Sequence, residues 1–182
     1  MRIRVSDLTA EGVLIEDHLD PAQLKDLATL QESEGFIFKG LLDVRLQVKP
    51  AAGMVEAEGR IVGTAVLGCS RCLASTPYPL GSVFRLTFTR AIPGDPRESS
   101  AEPHELQADE LGLVLFEGDE IDFRDVIQEQ VIMAIPMQPL CREDCRGLCA
   151  RCGANLNEGP CSCSANGIDP RLAILKNIKL DS

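Results

Sequence analysis

The sequence predicts an α+β fold, with an antiparallel sheet or meander, a few helices and a C-terminal cysteine-rich segment. Three observations support this prediction. Apolar and polar residues alternate over long stretches of the first half, and shorter stretches combine helical spacing with capping residues. Six of the eight cysteines fall between Cys141 and Cys163. We therefore divide the chain into an α+β body with a sheet and a long helix, 1–140, and a cysteine-rich tail with a closing helix, 141–182.

The strands are predicted from period-two alternation. MRIRVSDL places Ile3 and Val5 on one face of a short strand. In FIFKGLLDVRLQVK, apolar residues at every second position from Leu42 to Val48 alternate with polar ones, which indicates a half-buried strand. PAAGM is a turn, and VEAEGRIVGTAVLGC and SVFRLTFTR continue as extended segments. Three extended segments joined by short breaks predict an antiparallel meander.

The helices are predicted from caps and apolar stripes. In LDPAQLKDLATL, Asp20 is the N-cap, Pro21 takes the first helical position, and leucines follow at helical spacing. In EGDEIDFRDVIQEQVIMAIPM, Asp122 is the cap and Pro136 ends the helix. DPRLAILKNIKL closes the chain with Asp169 as its cap. The stretch 92–110 is rich in Pro, Ser and Glu without periodicity and is predicted to be a surface loop.

The charge is strongly acidic and unevenly distributed. The net charge is −10, and the six basic and five acidic residues of 141–182 leave −11 on residues 1–140. Such a body repels nucleic acid phosphates. The N-terminus lacks the apolar core of a signal peptide, and no 18-residue apolar run is present. We therefore expect a cytoplasmic protein with reduced thiols and no membrane contact.

The cysteine spacings indicate metal binding. Two Cys-x-x-Cys pairs occur together with CxxxC and CxC spacings, and neither histidine lies near a cysteine. Structural zinc takes four ligands in a tetrahedron and favours thiolate, so we expect two zinc ions in two four-cysteine sites, one of them a zinc knuckle. Four thiolates leave no open position, which indicates a structural role and no enzyme activity. The predicted ligands are Cys69, Cys72, Cys141, Cys145, Cys149, Cys152, Cys161 and Cys163.

Spacing alone leaves open which cysteines share each ion. In the grouping favoured by loop closure, the four cysteines of 149–163 close a small knuckle, and Cys141 and Cys145 join the upstream CSRC pair. That ion would staple the sheet to the start of the tail. The alternative groups the four cysteines of 141–152 and pairs CSRC with Cys161 and Cys163. Disulfides, an iron–sulfur cluster and a thiol redox centre are other uses of these thiols.

Several segments together resemble the YceD-like family of bacterial proteins. They are CSRCL, the helix sequence EGDEIDFRDVIQEQVIMAIPM, PLCREDCRGLCARCGANLN, CSC and the closing DPRLAILKNI. The family is named for large ribosomal RNA subunit accumulation and is labelled as possible metal- and nucleic-acid-binding proteins. The resemblance implies a cytoplasmic, non-enzymatic role in ribosome biogenesis, through accumulation or processing of the large-subunit (23S) ribosomal RNA.

Two kinds of partner follow from the charges. Basic residues beside the cysteines are the candidate contacts to large-subunit rRNA. These are Arg71, Arg142, Arg146, Arg151, Arg171, Lys176 and Lys179. Acidic residues that lead into or lie on the long helix could receive a basic ribosomal protein or processing factor. These are Asp119, Glu120, Asp122, Asp125 and Glu129. No small-molecule substrate is expected. The alternative functions are a zinc-stapled protein-interaction module without RNA contact and a thiol redox protein.

Overall fold

The fold is that of a computed structural model, which describes residues 1–34, 36–90 and 112–163. Its strands are β1 (Arg2–Arg4), β2 (Val13–Leu19), β3 (Ile37–Phe38), β4 (Leu42–Ala51), β5 (Met54–Gly68), β6 (Ser75–Thr89), β7 (Leu113–Leu115) and β8 (Glu120–Asp122). Its helices are α1 (Lys25–Glu34) and α2 (Phe123–Ala134). The α+β class predicted from the sequence is confirmed.

The main sheet follows the order β2-β4-β5-β6-β7, with β3 also paired to β5. β4, β5 and β6 pair antiparallel in succession, which confirms the predicted meander. The turn between β4 and β5 consists of Ala52 and Gly53, whose φ angles of 48° and 82° suit a two-residue hairpin. β7 adds to β6 in parallel, and β1 and β8 form a separate antiparallel ribbon.

The core lies between one face of the main sheet and the two helices. The apolar residues of β4, from Leu42 to Val48, are buried, as the alternation predicted. Phe123, buried at the start of α2, meets Phe88 of β6 edge to face with ring centroids 5.2 Å apart. Burial of apolar surface stabilises the fold by roughly 25 cal/mol per Å². This packing therefore fixes the position from which the cysteine segment leaves α2.

Three local features of residues 1–34 differ from the sequence-based description. Asp20 caps a 3-10 turn, Pro21–Gln23, and α1 begins only at Lys25. β2 was not predicted, because VLIEDHL is a mostly exposed edge strand without clean alternation. The first strand is shorter than MRIRVSDL, since a 3-10 turn follows Arg4.

The predicted loop 92–110 and the predicted closing helix lie outside the described residues. Asp122 caps α2 as predicted, and its side chain accepts a hydrogen bond from the backbone N–H of Arg124. Neither α1 nor α2 reaches the length and apolarity that a bilayer-crossing helix requires.

Candidate metal centres

The first Cys-x-x-Cys pair lies in the tight loop between β5 and β6. The N–H of Cys69 donates to the carbonyl of Ala74 at 2.9 Å, and the N–H of Leu73 donates to the carbonyl of Cys69 at 2.9 Å. The N–H of Arg71 points at Cys69 Sγ, 3.5 Å away. Leu73 has a φ of 60°, so the loop closes through a left-handed residue. The sheet thus presents both sulfurs from one rigid turn.

The second Cys-x-x-Cys pair repeats this turn. The N–H of Cys149 donates to the carbonyl of Ala154 at 2.8 Å, and the N–H of Gly153 donates to the carbonyl of Cys149 at 2.9 Å. The N–H of Arg151 lies 3.5 Å from Cys149 Sγ. Gly153 has a φ of 72°, so glycine here provides the conformation that Leu73 adopts in the first loop.

The first tetrad joins the CSRC loop to the segment that follows α2. The sulfurs of Cys69, Cys72, Cys141 and Cys145 all lie within 4.8 Å of one another. Cys69 Sγ is 3.8 Å from Cys145 Sγ, and Cys72 Sγ is 3.6 Å from Cys141 Sγ. Cys69, Cys72 and Cys145 are buried. A backbone hydrogen bond of 2.8 Å from the N–H of Ser70 to the carbonyl of Pro139 holds the two segments together.

The second tetrad is more open to solvent. The sulfurs of Cys149, Cys152, Cys161 and Cys163 also lie within 4.8 Å of one another, and Cys152 is exposed. The structure therefore brings the thiols together in the grouping that loop closure favoured. It does not bring together the alternative grouping.

Each tetrad contains thiols whose pKa values are shifted. Backbone N–H groups, that of Cys141 foremost, lower the pKa of Cys69 to about 6. The N–H of Cys152 is foremost in lowering the pKa of Cys149 to about 6. Burial is the main cause that raises the pKa of Cys141 to about 12, and the side chain of Cys152 is the main cause that raises the pKa of Cys163 to about 12. A thiolate disfavours a second negative charge beside it, and a bound divalent cation removes that conflict.

Both tetrads have the composition and spacing to hold a metal ion. Zinc–sulfur bonds of about 2.3 Å in a tetrahedron place the sulfurs about 3.8 Å apart. The distances of 3.8 Å and 3.6 Å measured across the first tetrad match that separation. Four thiolates suit zinc and also iron, so the geometry supports metal binding and leaves the element open.

Asn157 is a site residue that sequence reasoning missed. It lies in the loop of the second tetrad, yet its Nδ2 donates to Cys145 Sγ of the first tetrad at 3.3 Å. Its Oδ1 accepts from the backbone N–H of Arg146 at 2.8 Å and from Arg142 Nη2 at 2.8 Å. The sequence carries no signal for this contact between the loops.

Two of the predicted RNA-binding arginines brace the first tetrad. Arg71 Nη1 donates to the carbonyl of Cys145 at 2.9 Å. Arg142 Nε lies 3.2 Å from Asp144 Oδ1, and its Nη2 donates to Asn157. Both side chains are exposed, but their guanidinium groups are engaged by the chain itself.

Two other predicted basic residues also lie beside the tetrads. Arg146 and Arg151 are exposed, beside Cys145 and within the second Cys-x-x-Cys turn. Arg171, Lys176 and Lys179 lie outside the described residues. Nucleic-acid binding by this set stays a prediction.

The acidic residues before α2 are paired within the chain. Across the β1–β8 ribbon, Glu120 Oε1 lies 3.3 Å from Arg4 Nε, and Asp122 Oδ2 lies 2.9 Å from Arg2 Nε. Asp119 accepts two hydrogen bonds from the turn that follows β1. These carboxylates therefore stabilise the ribbon, which makes them a weaker docking site for a basic partner than the sequence indicated.

Comparison with known proteins gives one family match and several relatives. The model of the family described as "Large ribosomal RNA subunit accumulation protein YceD" matches residues 57–179. An uncharacterised protein of Mycobacterium tuberculosis is 35% identical over 135 residues, which are 74% of this chain and 60% of that protein.

Two further relatives come from a plant and from another bacterium. A Zea mays protein named "Large ribosomal RNA subunit accumulation protein YCED homolog 1, chloroplastic" is 26% identical over 159 residues, covering 73% of this chain and 53% of that protein. The uncharacterised protein YlbN of Bacillus subtilis is 27% identical over 141 residues, covering 77% of this chain and 72% of that protein. The chain thus spans about 60% of the length of the mycobacterial relative. No solved structure matches this chain significantly.

Proposed function

Because this chain belongs to the family of large ribosomal RNA subunit accumulation proteins, YceD, we propose that it is a non-enzymatic ribosome-biogenesis factor. In this proposal it supports the accumulation or processing of large-subunit (23S) ribosomal RNA. Two zinc ions, one in each thiol tetrad, hold the body and the cysteine-rich tail in one arrangement. The matched residues 57–179 include all eight cysteines, so the tetrads belong to the part of the chain that carries the family likeness.

The sulfur geometry carries the zinc part of the proposal. Two chain segments more than 60 residues apart supply the first tetrad, and the two sulfur–sulfur distances between them, 3.8 Å and 3.6 Å, match a tetrahedral zinc site. Four converging thiolates would repel one another in this partly buried site, and a bound divalent cation would offset that repulsion. Zinc thiolate sites of this kind contribute directly to folding.

A structural role explains the site better than a redox role. The turns around Cys69 and Cys149 each direct a backbone N–H at the sulfur, an arrangement that suits a metal-bound thiolate. A thioredoxin-like centre places its Cys-x-x-Cys at a helix N-terminus, whereas the first pair here joins two antiparallel strands. The proposed location is the cytoplasm, where free thiols remain available to metal.

The charges around the tetrads bear on the partner. Four thiolates and one Zn²⁺ carry a formal charge of −2, so two loaded centres would add about −4 to an already acidic chain. Arg71, Arg142, Arg146 and Arg151 would then balance the centres before they attract phosphates. We therefore propose large-subunit rRNA, a basic ribosomal protein or both as partners, and Arg146 is the arginine at which we test RNA contact first.

Metal content tests the zinc part of this proposal. Elemental analysis of the purified protein should give two zinc ions per chain, with no thiol reacting until a chelator is added. Iron in place of zinc would contradict the metal identity. Eight reactive thiols without bound metal would contradict the metal sites and favour the redox alternative.

Ribosomal RNA levels test the biological part. In cells that lack the protein, large-subunit rRNA should fall relative to small-subunit rRNA, and the wild-type gene should restore the ratio. An unchanged ratio would contradict the proposed function. Salt-dependent binding of the purified protein to large-subunit rRNA would support direct contact, whereas its absence with a lowered rRNA ratio would favour the protein-interaction alternative.

A further inference from the structure

We infer that the two metal centres bind their ions as one coupled unit, with Asn157 as the positioning residue that links them. The inference rests on the metal binding proposed above and goes beyond it. Two independent centres would each gain nothing from the loading of the other, whereas this arrangement makes the second ion order a residue that serves the first centre.

Asn157 is placed by the second centre but acts on the first. It lies between Cys152 and Cys161, so an ion that holds those two cysteines closes the loop that carries it. Its Nδ2 donates to Cys145 Sγ at 3.3 Å. A hydrogen bond from an amide to a metal-bound sulfur stabilises the thiolate form, which is the form that the metal requires.

The rotamer of Asn157 is fixed by its own loop. Asn155 Oδ1 accepts from the backbone N–H of Asn157 at 3.1 Å and from its Nδ2 at 2.9 Å. Asn155 Nδ2 in turn donates to Glu158 Oε1 at 2.9 Å. The amide group of Asn157 is therefore oriented by neighbours within the loop, and its donor is directed at the sulfur without a long flexible side chain.

Backbone contacts hold the two loops in register. The N–H of Leu156 donates to the carbonyl of Gly147 at 2.9 Å, and Leu148 pairs with Asn155 in a single antiparallel bridge. Gly147, with a φ of 74°, packs against Arg71 so closely that a Cβ there would lie 3.0 Å from the Arg71 carbonyl oxygen. The second loop therefore reaches the CSRC turn through the segment between the two tetrads.

Coupling between two binding sites is reciprocal by thermodynamic linkage. If loading of the second centre orders Asn157 and so raises the affinity of the first, loading of the first must raise the affinity of the second by the same factor. Groups that hydrogen-bond to metal ligands typically contribute about 10- to 100-fold in metal affinity. We expect the coupling between the centres to lie in that range.

The test is a double-mutant cycle on the full-length, zinc-loaded protein. Zinc is withdrawn by a chelator titration, and release from the first centre is followed by alkylation of Cys69 and Cys145 mapped by mass spectrometry. The four proteins are the wild type, Asn157→Ala, the pair Cys161→Ser with Cys163→Ser, and all three changes together. We expect Asn157→Ala and the cysteine pair each to weaken zinc retention by the first centre about 10- to 100-fold. The combined variant should be no weaker than Asn157→Ala alone.

A spectroscopic readout separates this role from a general loosening of the loop. With Co²⁺ in place of zinc, loss of the N–H···S bond in Asn157→Ala should move the sulfur-to-cobalt charge-transfer band to lower energy. Asn157→Asp keeps the oxygen that accepts from Arg146 and loses the donor, so it should behave like Asn157→Ala or worse. Ser162→Ala, at an exposed position between two ligands of the second centre, leaves the hydrogen bonds that orient Asn157 in place and should match the wild type in both measurements.

The outcomes distinguish this inference from the proposed function. Wild-type zinc retention in Asn157→Ala, or additive losses in the combined variant, would overturn the coupling while leaving two zinc centres intact. A wild-type protein that holds no metal would instead refute the proposed zinc sites themselves.

Discussion

The sulfur atoms of Cys69 and Cys145 lie 3.8 Å apart although 76 residues separate them in the chain. One belongs to the loop at the end of the β5–β6 hairpin, and the other follows the segment that leaves α2. An ion held between them closes a long loop, and closing a long loop restricts the unfolded chain more than closing a short one. A metal ion in the first tetrad would therefore clamp the whole body, whereas an ion in the second would close only a short local loop.

This difference predicts unequal effects of losing one ligand. Cys69→Ser should lower the free energy of unfolding by about 3 kcal/mol or more, which corresponds to roughly 6–12 °C in Tm for a chain of this size. Cys161→Ser should cost less, because only the local loop and its coupling to the first centre are lost. Thermal melts of zinc-loaded protein measure both. Equal melts for the two variants would contradict the clamp.

The arginines around the first tetrad should separate into two kinds. Arg71→Gln removes the donor to the Cys145 carbonyl and should destabilise the fold by about 1–2 kcal/mol in urea unfolding. Arg146→Gln leaves a backbone N–H bond to Asn157 intact and should change stability by less than about 0.5 kcal/mol.

Binding to large-subunit rRNA tests whether Arg146 contacts phosphate instead of stabilising the fold. If Arg146 contacts phosphate, Arg146→Gln should reduce the slope of log affinity against log salt by about 1. An unchanged slope would remove Arg146 from the predicted RNA-binding set, and a stability loss as large as that of Arg71→Gln would show that it is structural.

Gly59 should be intolerant of any side chain. A Cβ at this position would overlap the ring of Phe84 and lie 2.7 Å from Leu46 Cδ2. Gly59→Ala should therefore cost about 1–3 kcal/mol through overpacking of the core. Gly81→Ala is the matched control, because a Cβ there has no neighbour within 4 Å among the described residues. Chemical denaturation of both variants checks this, and similar stabilities would mean that the Phe84 ring moves aside freely.

Asp122 should contribute stability that depends on pH. The guanidinium of Arg124, followed by a backbone N–H and by Arg2, holds the pKa of this carboxyl well below its usual range. Because the folded pKa is the lower one, the stabilisation is fully present above the unfolded pKa of about 4 and is lost as the pH falls through the folded value.

Asp122→Asn keeps an oxygen for the helix cap and removes the charge. The variant should be less stable than the wild type by about 1 kcal/mol at pH 7, and the difference should narrow as the pH falls below about 4. Both proteins carry the same cysteines, so release of metal by acid affects both alike. A difference that stays constant down to pH 2 would contradict the role of the charge.

Several elements follow from local sequence. The alternation from Leu42 to Val48 predicts β4 because a strand with one buried face needs an apolar residue at every second position. Asp122 before an apolar stripe predicts the start of α2, since a free backbone N–H at a helix end needs an acceptor. β2 escaped prediction because an exposed edge strand carries no such pattern. The three-residue strand β7 escaped because its pairing depends on a distant neighbour.

The sequence by itself determined the number, type and spacing of the thiols, the strands that carry the first pair, and the preference for closing the last four as a short loop. Only the tertiary structure decided that Cys141 and Cys145 reach the CSRC turn and that Asn157 contacts the sulfur of the neighbouring tetrad. The physical reason is that spacing governs what one turn can bring together, whereas contacts between separate loops depend on how the packed sheet and α2 position the ends of the segments that they carry.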